Sequence, residues 1–218
     1  ILVIGDDGVL LSHSESTRQY YDLLVNGAFG NYRDLLEKVT LHPAMGKWLS
    51  HLQNQKADPV KGTAADENYA RELQQLFTIG LVQLHPDGTL VFDEEGQTIP
   101  TYDQAVIAET AKILTGWTFA TTANFYGYPP NDYEIGSADG TGWMLPMRYD
   151  DTFHDKTEKR IVSLQQVSLV TATRTVVPAN RTGPQDLQVL LNTLFDHPNV
   201  GPFISRHLIK FLVTSNPS

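Results

Sequence analysis

The stretch that most constrains the fold is Thr63 to Gly80, TAADENYARELQQLFTIG, where a helix start, an apolar face, a polar ridge and a stop signal can all be read. Thr63 and Asp66 have capping-box spacing, in which a side-chain oxygen accepts a backbone N–H that the first helical turn leaves unpaired. Asp66 and Glu67 favour the positive end of a helix dipole, and Gly80 suits the left-handed conformation that closes a helix. At 3.6 residues per turn Tyr69, Ala70, Leu73, Leu76 and Phe77 share one side, so the spacing predicts a helix over 64–79 packed on a core. Glu67, Arg71, Gln74 and Thr78 fall opposite, with Glu67 and Arg71 placed to pair at i, i+4. Glu72 lies beside the apolar stripe. It is either an ordinary flank carboxylate whose stem covers apolar surface, or a partly buried one that needs a cationic partner.

Other helices can be placed by the same signals. Ser14 or Ser16 caps one running through Tyr20–Leu24, Asn31 caps a second through Leu35, Leu36 and Val39, and Pro43 opens a third with Met45, Trp48 and Leu49. Thr101 or Asp103 starts another, ending at Gly116, and Pro184 opens a final helical pair. The order helix, His-Pro corner, helix occurs twice, at His42-Pro43 and at His197-Pro198. At each corner the ring is expected to hydrogen-bond the backbone rather than a metal. Thr89–Phe92 and Gln97–Ile99 form a small hairpin between turn-rich segments, and Ile161–Val177 a second. Gly5-Asp6-Asp7-Gly8 is a solvated turn. These readings give a mainly α, multi-helix globular domain over 1–218 with minor β hairpins. A long irregular Gly/Pro/aromatic-rich insertion occupies 120–183.

A net charge of −9 without a Lys/Arg cluster disfavours nucleic acid and anionic membranes as partners, and the absence of cysteine excludes disulfides and thiolate chemistry. No apolar run approaches the roughly 20 residues of a membrane-spanning helix. The opening Ile-Leu-Val-Ile and the closing Thr-Ser-Asn-Pro-Ser are those expected of a fragment of a longer protein. No compact nucleophile, metal or phosphate motif is present, and no cofactor is indicated. The scattered polar residues still define a tentative catalytic set: Glu72 as acid/base, Arg71 or Lys159 as anion holder, and His154 with Asp155 for proton transfer. Glu67 and Asn68 stand behind them. Trp117, at a helix exit, caps the core or walls a pocket, and with Trp143 it bounds a run of aromatics expected to be exposed and to bind a partner.

Four segments together resemble a bacterial family known as domain of unknown function 1800. They are Asp66–Glu72 with Leu76–Gly80, Leu114-Thr115-Gly116-Trp117, Phe153-His154-Asp155 with Lys159, and His197–Phe203. After Lys159 the chain reads Arg160-Ile161-Val162-Ser163 where that family tends to have Phe-Leu-Gly. The resemblance implies an extracytoplasmic setting, periplasmic or secreted. It also implies, as an expectation, a partner in a second exported family, domain of unknown function 1501, which looks like a sulfatase or phosphatase relative. The residues themselves leave two functions as expectations, the resemblance adding only the exported setting. The first is an exported binding or assembly module, and the alternative is a hydrolase or metal-dependent enzyme with its site between helix 64–79 and the loop 143–160.

Overall fold

Helices dominate the computed structural model, which describes residues 2–5, 8–127, 140–165 and 172–215. Eight α-helices and two small antiparallel sheets occur among these residues, so the protein is mainly α with minor β hairpins. The Asp6-Asp7 turn and Tyr128–Asp139 of the aromatic insertion lie outside the described residues.

The helices are α1 (Gly8–Ser12), α2 (Ser14–Gly27), α3 (Tyr32–Thr40), α4 (Pro43–Trp48), α5 (Asn68–Gln75), α6 (Gln104–Ile113), α7 (Gly183–Phe195) and α8 (Val200–Leu212). Local chemistry explains most of their starts. The Asn31 side chain accepts from the Arg33 and Asp34 N–H groups, Asp103 accepts from Val106, and Thr182 forms a reciprocal capping box with Gln185. Pro43 sits in the first turn of α4, as its fixed φ favours. Strand β1 (Trp117–Thr118) pairs with β2 (Arg148–Tyr149), and β3 (Lys159–Ile161) pairs with β4 (Thr175–Val177) with Lys159 opposite Val177. The expected hairpin after α5 is a broken ladder: Leu84 bridges Leu90, Phe92 bridges Thr98 and Val82 bridges Pro100.

The helix read over 64–79 is shorter than its spacing implies. Asn54 fixes the backbone of Asp66 from both sides, its amide donating to Asp66 O at 3.0 Å and its carbonyl accepting from Asp66 N at 2.8 Å. Thr63 is bridged to Asp58. The capping box therefore does not form, α5 begins at Asn68, and Asp66 Oδ1 accepts from Asn68 N instead. At the other end Gly80 has φ +69°, the left-handed turn its position called for, and its N–H returns to Gln74 O. Leu76, read as a core residue, is exposed.

The apolar core runs through Leu36, Val39, Met45, Tyr69, Leu73 and Ile107 and continues into Leu187, Leu190, Leu191 and Leu194. Helix α3 packs on α7, so the first helices of the two His-Pro hairpins meet. Trp117 and Trp143 belong to this core too. Trp143 stacks on His13 at 4.3 Å and meets Phe119 edge-on at 4.8 Å. Trp117 thus caps the core, one of the two roles its place at a helix exit allowed, and the expectation of an exposed binding aromatic at Trp143 is corrected. Both large apolar rings lie in the core, and burial of so much area outweighs any surface role.

Candidate functional site

Two of the segments that carried the resemblance, Leu114–Trp117 and Phe153–Asp155 with Lys159, converge on one buried carboxylate. Asp186 lies in the first turn of α7, where the helix dipole favours negative charge. Its Oδ2 accepts from Lys159 Nζ at 2.7 Å and lies 3.3 Å from His154 Nε2, while Oδ1 accepts from Arg181 Nε at 3.0 Å. The side chains of His154, Lys159 and Asp186 are all 0% exposed. Burial pushes the Asp186 carboxyl up, but the hydrogen bonds and charges of His154 and Lys159 outweigh it and hold the group below the usual carboxylate range.

The loop after α6 seats the imidazole. Thr115 O faces His154 Nδ1 at 2.9 Å. The Thr115 hydroxyl donates to Lys112 O at 2.6 Å and accepts from Asp155 N at 2.9 Å. Both ring nitrogens thus face oxygens, Nδ1 that of Thr115 and Nε2 that of Asp186. Gly116, with φ +85°, lets the chain pass beneath: a Cβ there would stand 2.8 Å from Asp150 O and 3.1 Å from the His154 Cβ. Asp155 does not share a site with the imidazole. Its Oδ1 accepts from the Thr157 backbone and hydroxyl at 2.8 and 2.6 Å, folding the turn that leads into β3.

Arg71 and Glu67 stand elsewhere. Arg71 Nη2 donates to Glu67 Oε2 at 3.2 Å and to Gln104 Oε1 at 3.1 Å, and Gln104 Nε2 closes the ring to Glu67 at 2.6 Å. This network ties the start of α5 to the start of α6. Asn68 is exposed beside it. Glu72 Oε2 is buried without a hydrogen-bond partner. No hydrogen bond or ion pair among the described residues joins the Arg71–Glu72 group to the His154–Lys159 group. The tentative catalytic set therefore divides into a sealed knot and a surface network.

The sealed knot does structural chemistry: it neutralises a buried carboxylate and locks α7 to the loop after α6 and to β3. Asp186 and Arg181 were missed in the sequence. Asp186 did carry a signal, because it interrupts the apolar face set by Leu187, Leu190, Leu191 and Leu194, as Glu72 borders that of α5. Among the described residues no group of three or more His, Asp or Glu side chains is placed to hold a metal ion. The His-Pro corners behave as read: His42 Nδ1 accepts from Ala44 N at 3.2 Å, and His197 Nδ1 from Asn199 N at 3.1 Å. The fourth resembling segment is anchored by Asn199. Its side chain donates to Ile79 O and Val82 O at 2.9 and 2.7 Å and accepts from Leu84 N at 2.9 Å.

No curated protein and no solved structure matches the chain. One family model does, over residues 9–218, and it covers the sealed knot, the Arg71 network and both corners. The chain belongs to the family described as Protein of unknown function (DUF1800).

Proposed function

We propose that the protein is an exported helical binding or assembly module, and that its partner seats on the outer face of α8 and the neighbouring hairpin. The observation that carries this reading is the surface of α8, whose only buried residue is Val200. Leu208, Ile209, Phe211 and Leu212 are exposed there, with Phe211 at 73%, and Leu90 and Phe92 of the hairpin are exposed as well. A cleft of about 670 Å³ lies between Pro86–Phe92 and Pro202–Ile209. Exposed apolar groups concentrated in this way mark interaction surfaces in soluble proteins.

Charge narrows the partner. Helix α8 contains no acidic residue and carries Arg206 and Lys210, in a chain whose net charge is −9. Opposite α8 the complementary surface is an apolar patch with carboxylates, whereas Asp87, Asp93, Glu94 and Glu95 of the hairpin call for cationic groups at the other edge. The extracytoplasmic setting and the sulfatase- or phosphatase-like exported partner rest on the family resemblance. Titration calorimetry of the chain against such a partner from the same organism tests the reading. Saturable binding that weakens at least about tenfold in Phe211→Ser and Leu208→Ser supports it. Self-association in sedimentation experiments, with no partner binding, overturns it.

The enzymatic alternative has one observation in its favour, the unpaired Glu72 carboxylate oxygen. A single site spanning helix 64–79 and the loop 143–160 would need groups that are bonded apart, with His154 and Lys159 sealed against Asp186.

A further inference from the structure

A second cleft, of about 680 Å³, opens between α2, α3, the first His-Pro corner and the segment after Trp143. That volume is in the range of sites that take a small molecule or a side chain. His42 borders it and is 6% exposed. The ring Nδ1 accepts from Ala44 N at 3.2 Å and burial keeps the ring neutral, so its one proton sits on Nε2. This N–H has no hydrogen-bond partner among the described residues, and the ring otherwise meets Tyr20 edge-on at 5.3 Å. A donor held in so dry a place needs an acceptor, and the cleft is the route by which one arrives.

The mouth of the cleft is acidic. Asp22 and Asp34 line it with side chains 54% and 69% exposed. Asp22 is answered by Arg18, and Glu37 by Arg33 and Gln188. Asp34 is not answered in the same way: its one ion-pair contact is Arg33 Nη1 at 4.0 Å, and it accepts no side-chain hydrogen bond among the described residues. Lys38, four residues further along α3, also lines the cleft and forms no ion pair among the described residues. Three carboxylates against one ammonium disfavour an anion. Between the mouth and His42 stand Leu23, Leu41, Met144 and Pro146, which suit a run of methylenes, and no aromatic ring besides the imidazole lines the cleft to stack a sugar or a base.

We propose that this cleft docks a basic peptide segment of a partner protein, an arginine or lysine stem lying along Leu23, Leu41 and Met144 with its head on Asp34 and Asp22, while a carbonyl oxygen of the segment accepts from His42 Nε2–H. The cleft shares no residue with the α8 surface, so its failure and the failure of the docking proposal there are separate outcomes.

The test titrates the 218-residue chain with capped tripeptides carrying arginine, lysine, citrulline or norleucine between two glycines, and with glucosamine, followed by backbone and imidazole nitrogen NMR. Expected is a saturable shift at His42 Nε2 and along α3 with the arginine or lysine peptide at millimolar concentration, and a much weaker one with the uncharged pair. Asp34→Asn should weaken that binding about threefold or more, and Lys38→Met, which removes a competing cation, should strengthen it about twofold. Both positions are exposed, so each variant should keep its Tm within about 2 °C, and opposite effects on binding are not what a loss of structure would produce. His42→Asn keeps an oxygen for the corner N–H but removes the Nε2 donor, and should weaken every peptide alike. Silence from both basic peptides, equal binding of the citrulline peptide, binding of glucosamine in their place, or affinities unmoved by Asp34→Asn and Lys38→Met would each overturn the assignment.

Discussion

The two His-Pro corners share their chemistry and differ in the helices they launch. At both, the imidazole Nδ1 accepts the N–H two residues on, at 3.2 and 3.1 Å, and both rings are buried. Beyond the first corner α4 is a six-residue helix with Pro43, Ala44, Met45 and Gly46 buried. Beyond the second α8 runs for 13 residues with only Val200 buried. The preceding helices differ as well. Helix α3 is held to α7 by an outer network in which Arg33 bonds Glu37 and Gln188, whereas α7 is anchored inside the protein by Asp186. A corner is therefore a local device, and the element it launches is assigned to core or surface by distant neighbours.

The sharpest contrast is between the charges that anchor α7 and α3. Asp186→Asn leaves Lys159 and the His154 ring buried without their counter-charge, and should cost about 3–5 kcal/mol in urea unfolding. Glu37→Gln removes the corresponding charge from the outer network, where the Arg33 and Glu37 side chains keep some contact with water, and should cost no more than about 1 kcal/mol. Equal losses would erase the distinction between a sealed knot and a surface latch.

The helices after the corners give a contrast of similar size. Met45 is fully buried, so Met45→Ala should cost about 2–5 kcal/mol through lost burial and the cavity left behind. Phe211→Ala on α8 should change stability by no more than about 0.5 kcal/mol. Thermal melts of the two variants check both. A large loss in Phe211→Ala would mean that the outer face of α8 already has an apolar partner under the conditions of measurement.

Legibility in the sequence divides along the same line. The caps at Asn31 and Asp103, the stop at Gly80 and the corner role of His42 and His197 depend on atoms within a few residues, and the spacing reveals them. The start of α5 did not obey its capping signal, because Asn54, 12 residues away, holds Asp66 in another conformation. The burial of Trp117 and Trp143 is likewise fixed by packing between elements far apart in the chain. Of the candidate residues, Arg71 and Glu67 pair as the i, i+4 spacing implied. His154 and Lys159 do meet, but only because Asp186 on α7 brings them together, and no local pattern encodes that distance of chain.

The smallest and most discriminating test concerns the corner rings themselves. Burial lowers His42 and His197 from 6.5 to about 4, and does the same to His51, which stacks on Tyr69 at 3.9 Å. Each ring is neutral in the folded protein and gains a proton on unfolding between about pH 4 and 6.5. The unfolded chain binds more protons in that window, so stability is fully present above about pH 6.5 and is lost as pH falls toward about 4, by roughly 2 kcal/mol per ring at about pH 5. Asp186 is lowered as well, but from 3.8, so its own loss, also on falling pH, begins only near that pH and lies below this window. His42→Asn and His197→Asn each keep a side-chain oxygen for the corner N–H and remove one titrating ring. If the corners are equivalent, each variant flattens the fall in stability between about pH 6.5 and 5 by about one third. If only one variant does so, the other ring is solvated in the native ensemble, and its corner is open to water in a way that equal hydrogen bonds and equal burial do not permit.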